Sequence, residues 1–265
     1  NHVVHGRVIF PGTGYLEMAR AAATEESALR GVFFVQPLFA ETHGLLVEFG
    51  VANDRFEVRS SLDGDQTQGA TVHCTGAFVT AGGSQHAHHA LVRGCLRSHA
   101  VEISPVYDQF DGLRLQYGPG YRTLIQGWGC ATSAMARLRA RPEQQGTQVH
   151  PADLDDALCA SALSFSKDDS QTRLPFAVDD VFLQGASGEL WTLVALQSAE
   201  AVSARLGGLA LRLQSLVDGF KSRLLREETG NKTTRWHYEV EWSCTPLVYS
   251  ASATSSLLLV VGCMP

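Results

Sequence analysis

One helix followed by several strand-like segments occurs twice along this chain, and this repeat constrains the fold more than any other feature. The first helix is predicted in GTGYLEMARAAA, where small and apolar residues share one face at Leu16, Ala19, Ala22 and Ala23. The second is predicted in HPADLDDALCASAL, residues 150–163, with a proline in its first turn and early acidic residues. Strand-like segments follow each helix, and several alternate polar and apolar residues, as half-buried antiparallel strands do. Each half is therefore expected to pack one helix on an antiparallel sheet, an α+β architecture.

The composition favours a folded core and excludes several classes of function. Hydrophobic residues make up 45% of the 265 residues and charged residues 18%, which supplies ample apolar material. The formal net charge is −6 and no Lys/Arg block occurs, so a nucleic-acid partner is not expected. No apolar run approaches the ~20 residues that span a membrane. The six cysteines are scattered without a CxxC pair, which predicts no metal site and a reducing, cytoplasmic location.

The first twelve residues carry a pattern suited to catalysis. His2 lies four residues before Gly6 and nine before Pro11, and PGTG then opens the first helix. The first N–H groups of a helix have no partner inside it, so those near Gly12 could hold a carbonyl oxygen or an oxyanion. A histidine beside such a site is suited to removing a proton next to a carbonyl. Taken alone, such a histidine is more often a packed or surface residue.

Three aspartates occur near the start of the second predicted helix, at positions 153, 155 and 156. Helical geometry turns Asp155 and Asp156 roughly 100° apart, so one is expected to face inward and the other water. An inward carboxyl in an apolar pocket has its pKa raised and can act as a general acid. The alternative is that all three aspartates are solvated acids near the start of the helix. Tyr117, in the YGPGY segment, either belongs to a structural turn or presents its hydroxyl to a substrate.

In their order along the chain, these motifs resemble those of the dehydratase domains of modular type I polyketide synthases. HVVHGRVIFP is similar to the family's HxxxGxxxxP motif and HPADLD to its HPxxLD motif. YGPGY resembles YGPxF, with Tyr121 in the Phe position, and LPFAV resembles LPFxW, with Val178 in the Trp position. TVHCTG is similar to the family's HxxG strand. The resemblance covers roughly residues 1–225 and implies a double hotdog, in which two antiparallel sheets each wrap around a long central helix.

The resemblance also implies how the chain is divided. Residues 1–100 would form the N-terminal hotdog half, without its usual first strand, and residues 101–225 the C-terminal half. Residues 226–265 would form a linker and the start of the following synthase region, with a ketoreductase region downstream. A homodimer is expected, with neighbouring synthase domains and an acyl carrier protein as partners.

The implied activity is dehydration of a β-hydroxyacyl thioester to the α,β-unsaturated thioester, with the substrate on the phosphopantetheine arm of an acyl carrier protein. His2 would remove the α-proton, and Asp155 would protonate the departing hydroxyl. Backbone N–H groups near Gly12 would polarise the thioester carbonyl, and Tyr117 would bind substrate or hold Asp155. No metal or intrinsic cofactor is expected. The remaining positions expected at the substrate site are Pro119, Cys159 and Val178.

Departures from the family pattern leave other functions open. Cys159 stands where the family usually has Gln or His, Val178 replaces Trp, and Asn1 stands where Asp often precedes the histidine. Alternatives on the same fold are a pyran-forming cyclase, an enoyl isomerase and a product-template aldol cyclase, or a catalytically inactive dimerisation scaffold. Asp155 disfavours an isomerase, because isomerisation releases no hydroxyl.

Overall fold

A computed structural model gives the arrangement of most of the chain. It describes residues 2–24, 27–62, 69–81, 100–164, 172–185, 188–198, 200–208, 213–225, 241–242, 256–259 and 261–262. Asn1 and most of the predicted linker, residues 226–265, lie outside these ranges.

The helices and strands follow one another in the order that the sequence indicates. The first half contains β1 (His2–Val4), β2 (Arg7–Val8), α1 (Gly12–Ala22), β3 (Ser27–Phe34), β4 (Leu45–Ala52), β5 (Arg55–Leu62) and β6 (Thr71–Thr80). Next come β7 (Ala100–Val101), α2 (Ser104–Gly112), β8 (Leu115–Tyr117), β9 (Leu124–Cys130), β10 (Ser133–Leu138) and α3 (Pro151–Cys159). The remaining strands are β11 (Arg173–Leu183), β12 (Leu190–Leu196), β13 (Ala201–Gly207), β14 (Leu213–Leu224), β15 (Glu241–Trp242), β16 (Ser256–Leu259) and β17 (Val261–Gly262).

A single antiparallel sheet joins the two halves. Its 12 strands run in the order β16-β4-β5-β6-β3-β11-β14-β13-β12-β10-β9-β7. The halves meet where β3 pairs with β11, with Val32 opposite Val178. A separate small sheet has the order β2-β1-β8. β16 pairs with β4 at one edge of the large sheet. The division of the chain at residues 100 and 225 stays a prediction.

The two central helices pack against the sheet and against each other. α1 contacts β3 and β11, and α3 contacts β10, β12 and β13. One continuous hydrophobic core contains Leu16 and Ala19 of α1, Leu154 of α3 and sheet residues such as Val32 and Val178. Each half packs its strands on one helix, and the two expected sheets join through β3 and β11 into one. This is the double-hotdog arrangement that the resemblance implies.

At three places the structure differs from what the local sequence indicates. Ala22 is exposed at the last position of α1 and Ala23 lies beyond it in an extended conformation, so the buried face ends at Ala19. The apolar segment 127–140 could pass for one long strand, but a turn at residues 131–132 makes it the β9–β10 hairpin. α2, in the polar segment SPVYDQFDG, has no clear apolar period and is held by only two buried side chains, Val106 and Tyr107.

Replacing Leu154 with alanine is expected to destabilise the protein by about 2–5 kcal/mol. Leu154 is 1% exposed in the middle of α3, so truncation leaves a cavity where sheet and helix meet. The matched control is Leu224→Ala, at a position that is 45% exposed, which should cost well under 1 kcal/mol. Denaturant unfolding of the two variants would measure the difference. Equal losses would contradict the central position of α3 in the core.

Candidate functional site

Strand pairing brings the histidine motif and the YGPGY motif together. β1 pairs antiparallel with β8, which places His2 opposite Tyr117. The ring centroids of these two residues lie 5.8 Å apart in an edge-on arrangement. Tyr121, at the end of the 3₁₀ turn Pro119–Tyr121, lies 5.7 Å from the His2 ring. Two tyrosines, one at the end of β8 and one in the 3₁₀ turn that follows it, therefore flank the imidazole.

A tight turn explains the spacing between His2 and Gly6. His5 and Gly6 both have positive φ, 51° and 78°, as the central residues of a type I′ hairpin turn require. The turn folds β2 back on β1, so that Nδ1 of His2 lies 2.9 Å from the carbonyl oxygen of Ile9. Nδ1–H donates to this carbonyl, which leaves the Nε2 lone pair available as a base. Burial lowers the pKa of His2, and the hydrogen bond to Ile9 partly opposes this effect.

The start of α1 is placed by close packing against β11. Pro11 precedes the helix in an extended conformation, and its carbonyl accepts a 2.9 Å hydrogen bond from the N–H of Gly14. A Cβ atom on Gly12 would lie 3.2 Å from Pro175, so the LPFAV motif packs directly on the first residue of the helix. The Thr13 hydroxyl donates to the carbonyl of Pro151 at 2.9 Å, which ties the starts of α1 and α3 together. The first-turn N–H of Gly12 has no partner within the helix and is a suitable oxyanion donor.

All three aspartates of α3 are buried, so the expectation that one of them faces water is wrong. Asp153, Asp155 and Asp156 are 1%, 8% and 0% exposed, because other elements enclose α3 on every side. A buried carboxylate needs its own partners. Asp153 has one in Arg141, whose Nη2 lies 2.7 Å from Oδ1.

Asp156 and Asp155 differ in their hydrogen bonding. Asp156 accepts hydrogen bonds from the backbone N–H and the hydroxyl of Thr123, at 2.5 and 2.7 Å, and from the Tyr107 hydroxyl at 3.0 Å. Oδ2 of Asp155 is buried without a hydrogen-bond partner. Asp156 therefore stabilises the fold around α3, whereas Asp155 keeps one buried oxygen without a hydrogen-bond partner.

Burial raises the pKa of Asp155 to about 7, and a hydrogen bond from Tyr117 partly opposes this shift. The carboxyl is therefore substantially protonated at neutral pH, as a general acid must be. The Tyr117 hydroxyl also accepts a hydrogen bond from the thiol of Cys159, with a sulfur–oxygen distance of 3.4 Å. Tyr117 thus contacts the proposed base through its ring, and its hydroxyl lowers the pKa of the proposed acid.

The other predicted substrate-site residues have different positions. Cys159 is the last residue of α3 and contacts Tyr117 rather than an open chamber. Pro119 is exposed at the start of the 3₁₀ turn that carries Tyr121. Val178 is 1% exposed and is part of the main core. Substrate contact by these three residues stays a prediction.

Several contacts of the site were missed by sequence reasoning. The orienting carbonyl of Ile9 is a backbone group, which only the hairpin turn at Gly6 could have suggested. Thr123 and Tyr107, which satisfy Asp156, lie outside any motif and come from different elements. Tyr121 was noted only as a departure from Phe, although its ring contacts His2.

The histidine of TVHCTG lies at a separate cavity of about 260 Å³, whose lining includes neither His2 nor Asp155. Nδ1 of His73 donates to the carbonyl of Gln36 at 3.1 Å, and its Nε2 lies 2.6 Å from the Ser60 hydroxyl. Both ring nitrogens are therefore satisfied, and His73 anchors the loop that follows β3.

Two negative findings apply to the ranges that the structure describes. Within them, no group of three or more His, Cys, Asp or Glu side chains is arranged to hold a metal ion. None of the helices in these ranges combines the length and apolar character that crossing a bilayer requires. The cytoplasmic location stays a prediction.

Comparison with known proteins identifies the family. The family model described as "Polyketide synthase dehydratase domain" matches residues 1–61, and the one described as "Polyketide synthase dehydratase N-terminal domain" matches residues 84–216. The polyketide synthase PksN of Bacillus subtilis is 30% identical over 216 residues, which are 72% of this chain and 4% of PksN. The chain therefore spans only a small part of that relative.

Solved structures share the fold. The dehydratase domain from the CurF module of the curacin polyketide synthase has a TM-score of 0.73 at 21% identity, covering 84% of this chain and 87% of that domain. An Asp-to-Asn variant of the CurK dehydratase, described as inactive, has a TM-score of 0.72 at 24% identity, covering 85% and 88%. A His-to-Phe variant of CurK, also described as inactive, has the same TM-score and identity and covers 85% and 87%. With its double-hotdog fold and these matches along its length, the chain belongs to the dehydratase domains of polyketide synthases.

Proposed function

We propose that this domain removes water from a β-hydroxyacyl thioester carried on an acyl carrier protein and forms the α,β-unsaturated thioester. The observation that carries the proposal is the opposite effect of burial on two groups that both contact Tyr117. Burial favours the neutral, basic form of His2 and the protonated, acidic form of Asp155. At one pH, His2 can then act as a base while Asp155 acts as an acid.

His2 acts as the base. Its Nε2 takes the proton from the carbon next to the thioester carbonyl, and the imidazolium that forms keeps its Nδ1–H on the carbonyl of Ile9. Negative charge develops on the thioester oxygen as this proton leaves. The N–H of Gly12, at the positive end of α1, is the proposed donor to that oxygen, and one such donor is typically worth ~3 kcal/mol.

Asp155 acts as the acid. The bond between the β-carbon and its hydroxyl breaks as the carboxyl gives its proton to the oxygen, which leaves as water. Hydroxide is a poor leaving group, so this proton transfer is needed for elimination. The Tyr117 hydroxyl stabilises the carboxylate that results, because its hydrogen bond favours the charged form. A proton returned from His2 to Asp155 restores both groups.

Two observations support a catalytic domain over an inactive scaffold. In the CurK dehydratase, inactive variants replace an aspartate and a histidine, the residue types proposed here for acid and base. An inactive scaffold would have no use for a buried, unpartnered carboxyl oxygen, which costs about 1–3 kcal/mol. An isomerase would need no acid at the β-hydroxyl.

The partners follow from the family and are proposals. PksN is a polyketide synthase many times longer than this chain, which supports neighbouring synthase domains and a carrier protein as partners. The phosphopantetheine arm would enter with the substrate, and no intrinsic cofactor takes part in the proposed steps. A homodimer stays a prediction.

The His2→Phe and Asp155→Asn variants are each expected to lower dehydration about 10²–10⁴-fold, because each loses one proton-transfer step. Matched controls are His43→Phe and Asp54→Asn, at exposed positions outside the site. The assay is mass spectrometry of the acyl group after incubation with β-hydroxyacyl carrier proteins of both configurations. Unchanged loss of water in either site variant would refute the assignment. A parent protein that removes no water from either configuration would contradict the proposed dehydration.

The pH dependence of kcat/KM is expected to be bell-shaped. Activity should rise with pH as His2 loses its proton, at a pH below that of an ordinary histidine. It should fall near pH 7 as Asp155 loses its proton, because burial raises the pKa of this carboxyl to about 7. Rates with a fixed substrate across the pH range would show both limbs, and an alkaline limb far from neutrality would contradict the role of Asp155.

The Asp155→Asn variant is expected to be more stable than the parent protein above about pH 7. The carboxyl has a pKa of about 7 in the folded chain and an ordinary value of 3.8. It therefore contributes a free-energy penalty to folding that grows as the pH rises from 3.8 to about 7. Asparagine cannot ionise, so the variant should gain roughly 1–4 kcal/mol at high pH and nothing below about pH 4. Denaturant unfolding at both extremes would test this. A variant of equal stability at high pH would show that Asp155 is not held in a desolvating site.

A further inference from the structure

We propose that Arg141 is a positioning residue for the candidate site: its guanidinium holds the 3₁₀ turn against α3 and thereby keeps Tyr121 beside the His2 ring. This inference rests on the proposed role of His2 as the base. Arg141 lies three residues after β10, in the segment that leads to α3, and outside the sequence motifs of the site.

One guanidinium contacts both α3 and the turn. Nη2 of Arg141 donates to Oδ1 of Asp153 at 2.7 Å, and Nε donates to Oδ2 at 3.3 Å. Nη2 carries a second hydrogen, which it donates to the carbonyl oxygen of Gly120 at 3.1 Å. Asp153 belongs to the first turn of α3, and Gly120 is the middle residue of the 3₁₀ turn. Arg141 therefore connects the two elements directly.

This contact restrains the peptide group that leads into Tyr121. The carbonyl of Gly120 and the N–H of Tyr121 belong to one planar peptide group. Arg141 binds the oxygen of this group, and its N–H donates to the carbonyl of Gly118 at 2.8 Å. Hydrogen bonds on both sides oppose its rotation, which the glycine itself would allow. The ring of Tyr121 is thereby kept 5.7 Å from the ring of His2.

Stability alone does not account for the ion pair between Arg141 and Asp153. Their side chains are 14% and 2% exposed, so both charges are largely removed from water. The attraction between two buried charges is offset by their desolvation, and apolar residues of similar volume often replace such a pair without loss of stability. An apolar pair would lack the donor to Gly120. The feature that requires the arginine is therefore the placement of the turn.

The position of Tyr121 matters because its ring is one of the two that flank the proposed base. Tyr117, the other, is held by the pairing of β1 with β8. Tyr121 lies in the 3₁₀ turn instead, so its place depends on how that turn is held. A shifted turn would let the imidazole move, and a displacement of about 1 Å at a reacting group can cost ~10²-fold in rate.

The kinetic test replaces the ion pair by an apolar pair, Arg141→Met with Asp153→Leu. This double variant should keep the Tm of the parent protein but lower kcat about 10–100-fold with little change in KM, because the donor to Gly120 is lost and the base is misplaced. The matched control is Arg30→Met with Asp180→Leu, which removes an exposed ion pair between β3 and β11. The control should leave kcat unchanged.

A second variant keeps a positive charge next to Asp153. Lysine is a point charge on a flexible stem and lacks the planar fork with which arginine binds a carboxylate through two nitrogens. Arg141→Lys should therefore fold with its ion pair to Asp153 retained. It should still lower kcat, by less than the double variant does, because Gly120 loses its fixed donor.

A spectroscopic test does not depend on dehydration. Nuclear magnetic resonance of the protein with isotope-labelled histidine gives the imidazole signal of His2, assigned by its loss in His2→Phe. An aromatic ring shifts the signals of nearby nuclei, so Tyr121→Leu should move the His2 signal at a fixed pH. The double variant and Arg141→Lys should move it in the same direction, whereas the control with Arg30 and Asp180 replaced should leave it in place.

The outcomes separate the two proposals. A parent-like kcat in the double variant and in Arg141→Lys overturns the positioning role, and so does a lowered kcat with an unmoved His2 signal. If the double variant does not fold, Arg141→Lys decides on the same two measurements. A parent protein without dehydratase activity overturns the proposed function, and the His2 signal then decides the positioning role alone.

Discussion

The enclosure of α3 is the constraint on which the rest of the site depends. This helix lies between the sheet, α1 and the 3₁₀ turn, and every residue from Ala152 to Cys159 is buried. A buried carboxyl must be neutralised, paired or hydrogen-bonded. Asp153 has Arg141 and Asp156 has Thr123 and Tyr107, while Asp155 keeps one oxygen without a partner. The fold thus provides partners for two of the acids and leaves one oxygen of the third without a partner.

One physical effect prepares both proposed catalytic groups. Removal from water disfavours the charged form of any side chain, so it lowers the pKa of His2 and raises that of Asp155. The local contacts then refine this effect. The carbonyl of Ile9 selects which imidazole nitrogen is basic, and Tyr117 moderates the acidity of the carboxyl. Burial is therefore enough to keep His2 neutral and Asp155 protonated at the same pH.

The sequence predicted the two halves and their central helices well, because apolar periodicity and turn residues are local signals. Among the strand-like segments that follow the two helices, RFEVRSSL forms β5 and AVSARLG forms β13. Prediction was weaker where tertiary contacts decide. The buried state of Asp156 could not be inferred, because its hydrogen-bond partners come from distant elements. α2 was missed because its few apolar residues show no clear period.

By itself, the sequence determined the elements and the chemistry that they could carry: a histidine before a tight turn, glycines at a helix start and aspartates on a second helix. Local spacing is sufficient for such conclusions, since turns and helix starts are formed by residues close in the chain. Only the tertiary structure decided which groups meet. The pairing of β1 with β8 places His2 beside Tyr117, and the enclosure of α3 singles out Asp155. These outcomes depend on burial and on contacts between distant segments, and no local pattern in the chain encodes them.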